Sequence, residues 1–308
     1  MSYVLGYNQY GKAEVHVVRV FRDDPTAPHD LVDYNVSVAL TGDFDEAHQT
    51  GDQAKVLTTD ACKNTVNAFA KEAGDAVRQP ESFALALANH FVDDVPQVET
   101  ARINIEAFPW VRSHGNPHAF VKNGDYVRTV TVTRRGSAPA TVVSGLKDLT
   151  VLKTTDSEFH GFYQEKYTTL QPTNDRVMAT AIKSQWAHSS NDKDWGASFD
   201  AVFDAVTAAF AGAYSYALQH TIWEMGQAAL DADATIAEIR MSCPNKHHFV
   251  LDLSSFDLEN NNEVFHADDR PYGLIEATIK RTADVDASAA YDPGQAWSEA
   301  AAKVPADA

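Results

Sequence analysis

Cysteine and positive charge are both scarce in this chain of 308 residues. Cys62 and Cys243 are the whole cysteine complement, far apart and in no CxxC arrangement. That argues against a disulfide framework and fits two free thiols in a reducing compartment. Lysine and arginine number 25 against 43 aspartates and glutamates, a net charge of −18. Phosphate backbones need a basic stripe, so a nucleic-acid partner is not expected. A small anionic substrate remains open, because distant surface carboxylates are screened beyond about 8 Å at physiological salt. Such a site needs its own local cation. No apolar run approaches the roughly 20 residues of a membrane helix. The start, Met1-Ser2-Tyr3-Val4, has no basic region leading into an apolar core. The end, Pro305-Ala306-Asp307-Ala308, has no peroxisomal tripeptide, so the expected location is cytoplasmic.

Several catalytic signatures are missing too. No two glycines stand two residues apart, so there is no GxGxxG, and there is no GxxxxGK[ST] loop. GxSxG and HExxH are absent, and none of the 12 histidines forms H-x-H. The nearest metal-like spacing is His114 with His118, which lacks a third ligand and reads as a pair of hairpin-loop histidines. Nothing in the chain calls for a metal, a flavin or a nicotinamide.

What is present begins with a repeat. In the first half, strands over 14–21 and 31–40 precede two helices. Cys62, Val66, Phe69 and Ala70 share one helical face, and Phe83, Leu87 and Phe91 share the next. Strands around Ile103 and over 126–133 follow, with Asn123-Gly124 placed as a two-residue hairpin turn. The second half repeats that order. Strands over 147–153 and 176–186 precede a helix carrying Phe199, Val202, Phe203, Val206 and Phe210, with Ser198 as its N-cap. A further helix over 216–230 and strands before and after Cys243, then over 272–279, complete the set. Helices segregated over antiparallel strands give an α+β fold of two ββααββ domains, 1–135 and 140–283. Arg135-Gly136-Ser137-Ala138-Pro139-Ala140 is the boundary. Residues 284–308 form an Ala- and Asp-rich tail, expected to be peripheral or partly mobile.

The stretch Cys243-Pro244-Asn245-Lys246-His247-His248 sits between two alternating runs. Pro244 cannot serve a central ladder, so it marks a break, a bulge or a strand start. An amide, an ammonium and two imidazoles are thereby brought to a sheet rim. Elsewhere stand Tyr10-Gly11-Lys12, Thr58-Thr59-Asp60 at a helix start, Phe159-His160-Gly161-Phe162, Asp175-Arg176 and Leu218-Gln219. A helix start offers free backbone N–H groups to an anion or carbonyl oxygen.

In the order and spacing of these motifs the chain resembles the urate oxidase (uricase) family, from about Tyr7 to Arg281. The resemblance implies a tunnelling fold, with sheets of neighbouring subunits closing a barrel, in a homotetramer whose active sites are shared between chains. It implies cofactor-free oxidation of urate by dioxygen and water to 5-hydroxyisourate and hydrogen peroxide. Phe159 would lie flat beneath the purine, while Arg176 and Gln219 would hold its edges. The Leu218 backbone N–H would add a donor, and Thr59 and Asp60 would hold the five-membered end. Lys12, Thr59 and His247 would relay protons. Asn245, with Thr59, would hold dioxygen or water above the ring.

Singly, each residue has an ordinary reading. Lys12 suits a solvated strand, Phe159 a core, Arg176 a surface ion pair and Thr59 an N-cap. Jointly those readings would have to reproduce one family's motif order by chance. Two rival functions share the fold or the binding residues: a zinc-dependent pterin or purine-ring enzyme, and a non-catalytic purine-binding module.

Overall fold

The computed structural model describes residues 3–22 and 27–291. It divides into two compact units. One comprises residues 3–22, 27–145, 187–196 and 284–291 of those described, the other Leu146–Trp186 and Ala197–Ala283. Residues 292–308, most of the expected tail, lie outside the described residues.

The first unit opens with β1 (Tyr10–Phe21) antiparallel to β2 (Asp30–Gly42), in a register that sets Lys12 opposite Val38. The register shifts between Lys12 and Val15, where Glu14 takes φ 57°. Beside the shift, a Cβ on Gly11 would stand 1.9 Å from the Val38 carbonyl oxygen, so only glycine allows this approach. Tyr34, Val36, Val38 and Leu40 of β2 are buried in alternation, as period two dictates. Full burial of side chains of this size contributes about 1.5–3 kcal/mol each.

A short helix, α1 (Asp45–Gln49), precedes α2 (Thr59–Glu72), which buries Cys62, Val66 and Ala70 at four-residue intervals. Helix α3 (Pro80–Asp94) carries proline in its first turn, where no intrahelical partner is lost. It buries Phe83, Leu87 and Phe91 against the same core. Strand β3 (Val98–Ala107) pairs with β2 on one side and, on the other, with β6 (Val127–Arg135). Between them lies the hairpin of β4 (Trp110–Arg112) and β5 (Phe120–Lys122), whose loop carries His114 and His118. Asn123-Gly124 is therefore not the expected hairpin turn. It follows β5 in a connection to β6, and neither residue has the positive φ that a type I′ turn demands.

Strands β7 (Thr141–Lys153) and β8 (Met178–His188) run through both units. In the second unit, α4 (Trp195–Gly212) and α5 (Leu218–Ala232) precede β9 (Ile236–Val250), β10 (Phe265–Asp268) and β11 (Leu274–Lys280). Ser198 is not an N-cap. Helix α4 begins three residues earlier, and the Ser198 hydroxyl donates to the Asp233 carboxylate instead. Gly226 lets α5 lie close on β11, since a Cβ there would stand 2.7 Å from the Ile279 side chain.

Both halves thus show two strands, two helices and two strands, with short extra elements. The α+β class and the antiparallel repeat are as expected. The beginning of the tail is packed: Ala290 and Tyr291 are buried with Val143 and Ala187.

Candidate functional site

Residues 157–177 and the far half of β9 build a concavity in the second unit. Phe159 is fixed by reciprocal backbone bonds with Thr173, at 2.8 and 3.0 Å. The Arg176 N–H donates to the Ser157 carbonyl at 2.9 Å. These bonds fold the segment back on itself and set the Arg176 guanidinium carbon 5.3 Å from the Phe159 ring centre. Thr155 donates to the Asp175 carboxylate at 2.9 Å, and the Thr173 hydroxyl to the Asp175 carbonyl at 2.6 Å. Two side-chain bonds therefore hold the turn that presents Arg176.

Strand β9 continues unbroken through Pro244, without the break, bulge or strand start expected there. The discontinuity falls on its partners. Up to Pro244 the strand pairs with β11, and from His247 to Val250 it pairs with β10. Asn245 still donates its N–H to the Gly273 carbonyl at 2.8 Å. Because the Asn245 N–H points to the β11 side, the donor that Pro244 lacks lies on the opposite edge and costs this ladder no bond.

Phe159, Arg176, Asn245, Lys246, His247 and His248 all line one cavity of about 420 Å³. That volume is in the range of a small-molecule site. The Asn245 amide nitrogen stands 3.4 Å from His247 Nδ1, and His247 stacks on Phe249 with ring centres 5.5 Å apart. Burial pushes the Arg176 guanidinium below its ordinary pKa, and its Nε is buried with no hydrogen-bond partner among the described residues. A guanidinium stays charged in proteins, so Arg176 is a desolvated cation with a donor that no protein group among the described residues uses. An anion with a fork-matching edge would satisfy both.

Leu218 and Gln219 are not among the described lining residues, yet the start of α5 is stitched to the segment bearing Phe159. Ser157 bridges Ser215, and the Glu158 N–H donates to the Ser215 carbonyl at 2.9 Å. The N-cap residue Ala217 supplies no side-chain cap, which leaves the first N–H groups of α5 without an intrahelical or capping partner. The Leu218 side chain is buried and Gln219 is exposed.

Lys12, Thr59 and Asp60 belong to the first unit. The N-cap of α2 is Thr58, whose hydroxyl accepts from the Ala61 N–H at 3.0 Å. Thr59 is therefore released from capping and stands exposed in the first turn beside Asp60. The Asp60 carboxylate accepts from Lys63 at 2.5 Å and Asn64 at 2.9 Å, and these contacts hold its pKa below the ordinary value. Lys12 adds a smaller contribution of the same sign. Its charge also reaches Cys62, whose thiol burial pushes up to about 11. Lys12, Thr59 and Asp60 thus form one group, and Phe159, Arg176, Asn245 and His247 another.

Comparison with known proteins shows which family the chain belongs to. The uricase family profile matches residues 8–133 and 142–276, nearly the whole described chain. The chain belongs to the uricase family. Uricase of Arthrobacter globiformis is 48% identical over 278 residues, which cover 90% of each chain. Uricase of Dictyostelium discoideum is 36% identical over 281 residues, 89% of this chain and 96% of its own. The crystal structure of the Arthrobacter globiformis uricase matches with a TM-score of 0.90 at 45% identity, covering 96% of this chain and all of that one. Urate oxidase from Bacillus sp. TB-90, at 21% identity, shares the fold with a TM-score of 0.77 over 89% of this chain and all of that one. The two segments matched to the uricase profile flank residues 134–141, in keeping with a tandem repeat.

The cavity also holds residues that the sequence did not single out: Thr154, Gln171, Thr173, Asn262 and Phe265. They lie on irregular connections and on a four-residue strand, where no periodicity draws attention to them. Among the described residues, no cluster of three or more His, Cys, Asp or Glu could hold a metal ion.

Proposed function

We propose that this chain is a urate oxidase, converting urate, dioxygen and water to 5-hydroxyisourate and hydrogen peroxide without a metal or organic cofactor. The observation that carries the reading is the convergence of Phe159, Arg176, Asn245 and His247 on one cavity, in a chain of the uricase family. In this reading the flat urate anion lies over Phe159, where face stacking needs only a π-surface. Arg176 engages one edge through its planar fork, and the buried Nε gains its missing acceptor. Gln219 offers donor and acceptor together to the opposite edge, with the free Leu218 N–H beside it. Thr59 and Asp60 hold the five-membered ring from the start of α2.

The chemistry asks the protein for positioning and proton management. Lys12 and Thr59 take a proton from urate, which makes the substrate a better electron donor. Two electrons pass to dioxygen, and a hydroperoxide forms at a ring carbon. Water held by Asn245 then displaces hydrogen peroxide, with His247 in the same proton relay. Atoms balance as one urate, one dioxygen and one water against one hydroxyisourate and one peroxide.

The two residue groups are read as halves of one site, contributed by different subunits of a homotetramer. Two features support this. Thr59 and Asp60 stand exposed in the free chain. Strand β1 also ends the described strand order, with Val18 and Val20 exposed along it. Such an edge invites pairing or closure with another copy, as in a barrel of neighbouring sheets.

The test is loss of urate absorbance with release of peroxide, measured before and after exhaustive chelation. Full activity after chelation supports the cofactor-free reading. Loss that one added metal restores points to the zinc-dependent rival. Urate binding without turnover points to a binding module.

A further inference from the structure

Phe162 is absorbed by none of the roles above, yet it is stacked on the residue proposed to carry the substrate. Its ring centre lies 4.9 Å from that of Phe159, and the two planes are 14° from parallel. Gly161 stands between them in the sequence arrangement Phe159-His160-Gly161-Phe162, with φ +71°, a conformation that turns the chain back sharply. Phe159 lines the cavity, whereas Phe162 is not among the described lining residues. The second ring therefore covers one face of Phe159 without itself lining the cavity. Arg176, which does line the cavity, approaches Phe159 at 5.3 Å.

An aromatic ring on a short loop has freedom at χ2 unless something occupies one of its faces. The backbone of Phe159 is pinned by Thr173, but those bonds do not fix the ring plane. We infer that Phe162 is a positioning residue: it packs on one face of Phe159 and holds that ring in the plane on which a purine stacks. Gly161 belongs to the same device, because a residue with a side chain is strained at its φ and would pull Phe162 out of the stack. His160 points elsewhere, its Nε2 lying 2.8 Å from the Glu158 carboxylate. Phe162 touches no reacting atom in this scheme. Its effect falls on how well a flat heterocycle is received, so ground-state and transition-state binding suffer together.

This inference rests on the urate oxidase reading, and the experiment separates the two. Wild type, Phe162→Leu and Phe162→Tyr are compared for urate KM and kcat, for the dissociation constant of xanthine and for melting temperature. Xanthine has the same fused rings with hydrogen in place of the oxygen at C8. Leucine keeps the apolar bulk and removes the π-face, while tyrosine retains the face. For Phe162→Leu, urate KM and the xanthine dissociation constant should both rise about two- to tenfold, the range of one lost aromatic pair. Its kcat should change less, and Phe162→Tyr should restore both constants. A merely structural role would lower the melting temperature of Phe162→Leu and leave both constants at wild-type values, which would overturn the inference. So would a fall confined to kcat. Wild-type protein that binds xanthine but does not oxidise urate would sink the enzymatic reading alone, and the xanthine series would still decide the role of Phe162.

Discussion

Arg176 and Phe159 face the same cavity, with the guanidinium carbon 5.3 Å from the ring centre and the Nε hydrogen unclaimed. One residue supplies a flat surface and the other a charged fork beside it, which together describe a planar anion more narrowly than either does alone. Charge-assisted hydrogen bonds of this kind are worth about 1.5–3 kcal/mol. Arg176→Ala should therefore raise both urate KM and the xanthine dissociation constant by about 10- to 150-fold. Unchanged affinity in a folded variant would remove Arg176 from the site.

Lys12 and Thr59 should behave differently, because proton transfer is felt in the transition state. Lys12→Met and Thr59→Ala should lower kcat by about 10²- to 10⁴-fold while xanthine still binds near the wild-type value. Asn245→Ala should likewise spare affinity and slow turnover. Near-native kcat in Lys12→Met would remove it from the relay.

Complementation tests the shared site. Lys12→Met and Arg176→Ala subunits, each strongly impaired alone when assayed at urate near the wild-type KM, are dissociated, mixed and reassembled. In a mixed pair, one site carries both defects and the other carries none, so activity should return. Mixed oligomers verified by mass that stay inactive, beside a wild-type control that recovers, would place each site within one chain.

The alkaline limb of stability follows from two thiols. Burial raises Cys62 from its ordinary 9.0 to about 11 and Cys243 to about 12, the latter eased slightly by the Thr180 hydroxyl nearby. Between about pH 9 and those values the native state keeps protons that the unfolded chain gives up, so stability falls as pH rises. Tyr10 and Tyr34, also raised by burial, add to the decline above about pH 10. Melting temperature should drop across this window, and the Cys62→Ala/Cys243→Ala variant should show a shallower drop. Parallel curves for the two proteins would contradict the assignment to the thiols.

The repeat was legible because each element is long enough for its period to show. Tyr34, Val36, Val38 and Leu40 alternate, and Cys62, Val66 and Ala70 recur every four residues. Strands β4, β5 and β10 have three or four residues, too few to establish alternation. Ser198 suited an N-cap by type, but tertiary structure offered its hydroxyl the Asp233 carboxylate and the helix began at Trp195. Asn123-Gly124 carried a turn signal that the backbone did not use. The site was legible as a set of motifs only through family resemblance. Nothing in the spacing of Phe159, Arg176 and Asn245 shows that one cavity gathers them, since backbone bonds between Phe159 and Thr173 and a change of strand partner at Pro244 bring that about.

That change of partner has an evolutionary consequence. From Glu238 to Pro244, β9 is laddered to β11 and bears buried Ile239, Met241 and Cys243. From His247 on it is laddered to a different, four-residue strand. Asn245 and Lys246 occupy the seam, tethered on that edge through a single N–H to Gly273. Side chains there can be exchanged without unpicking the hydrophobic half of the strand. The chain can therefore explore new site chemistry at the seam while the buried, β11-paired half of the strand is left alone.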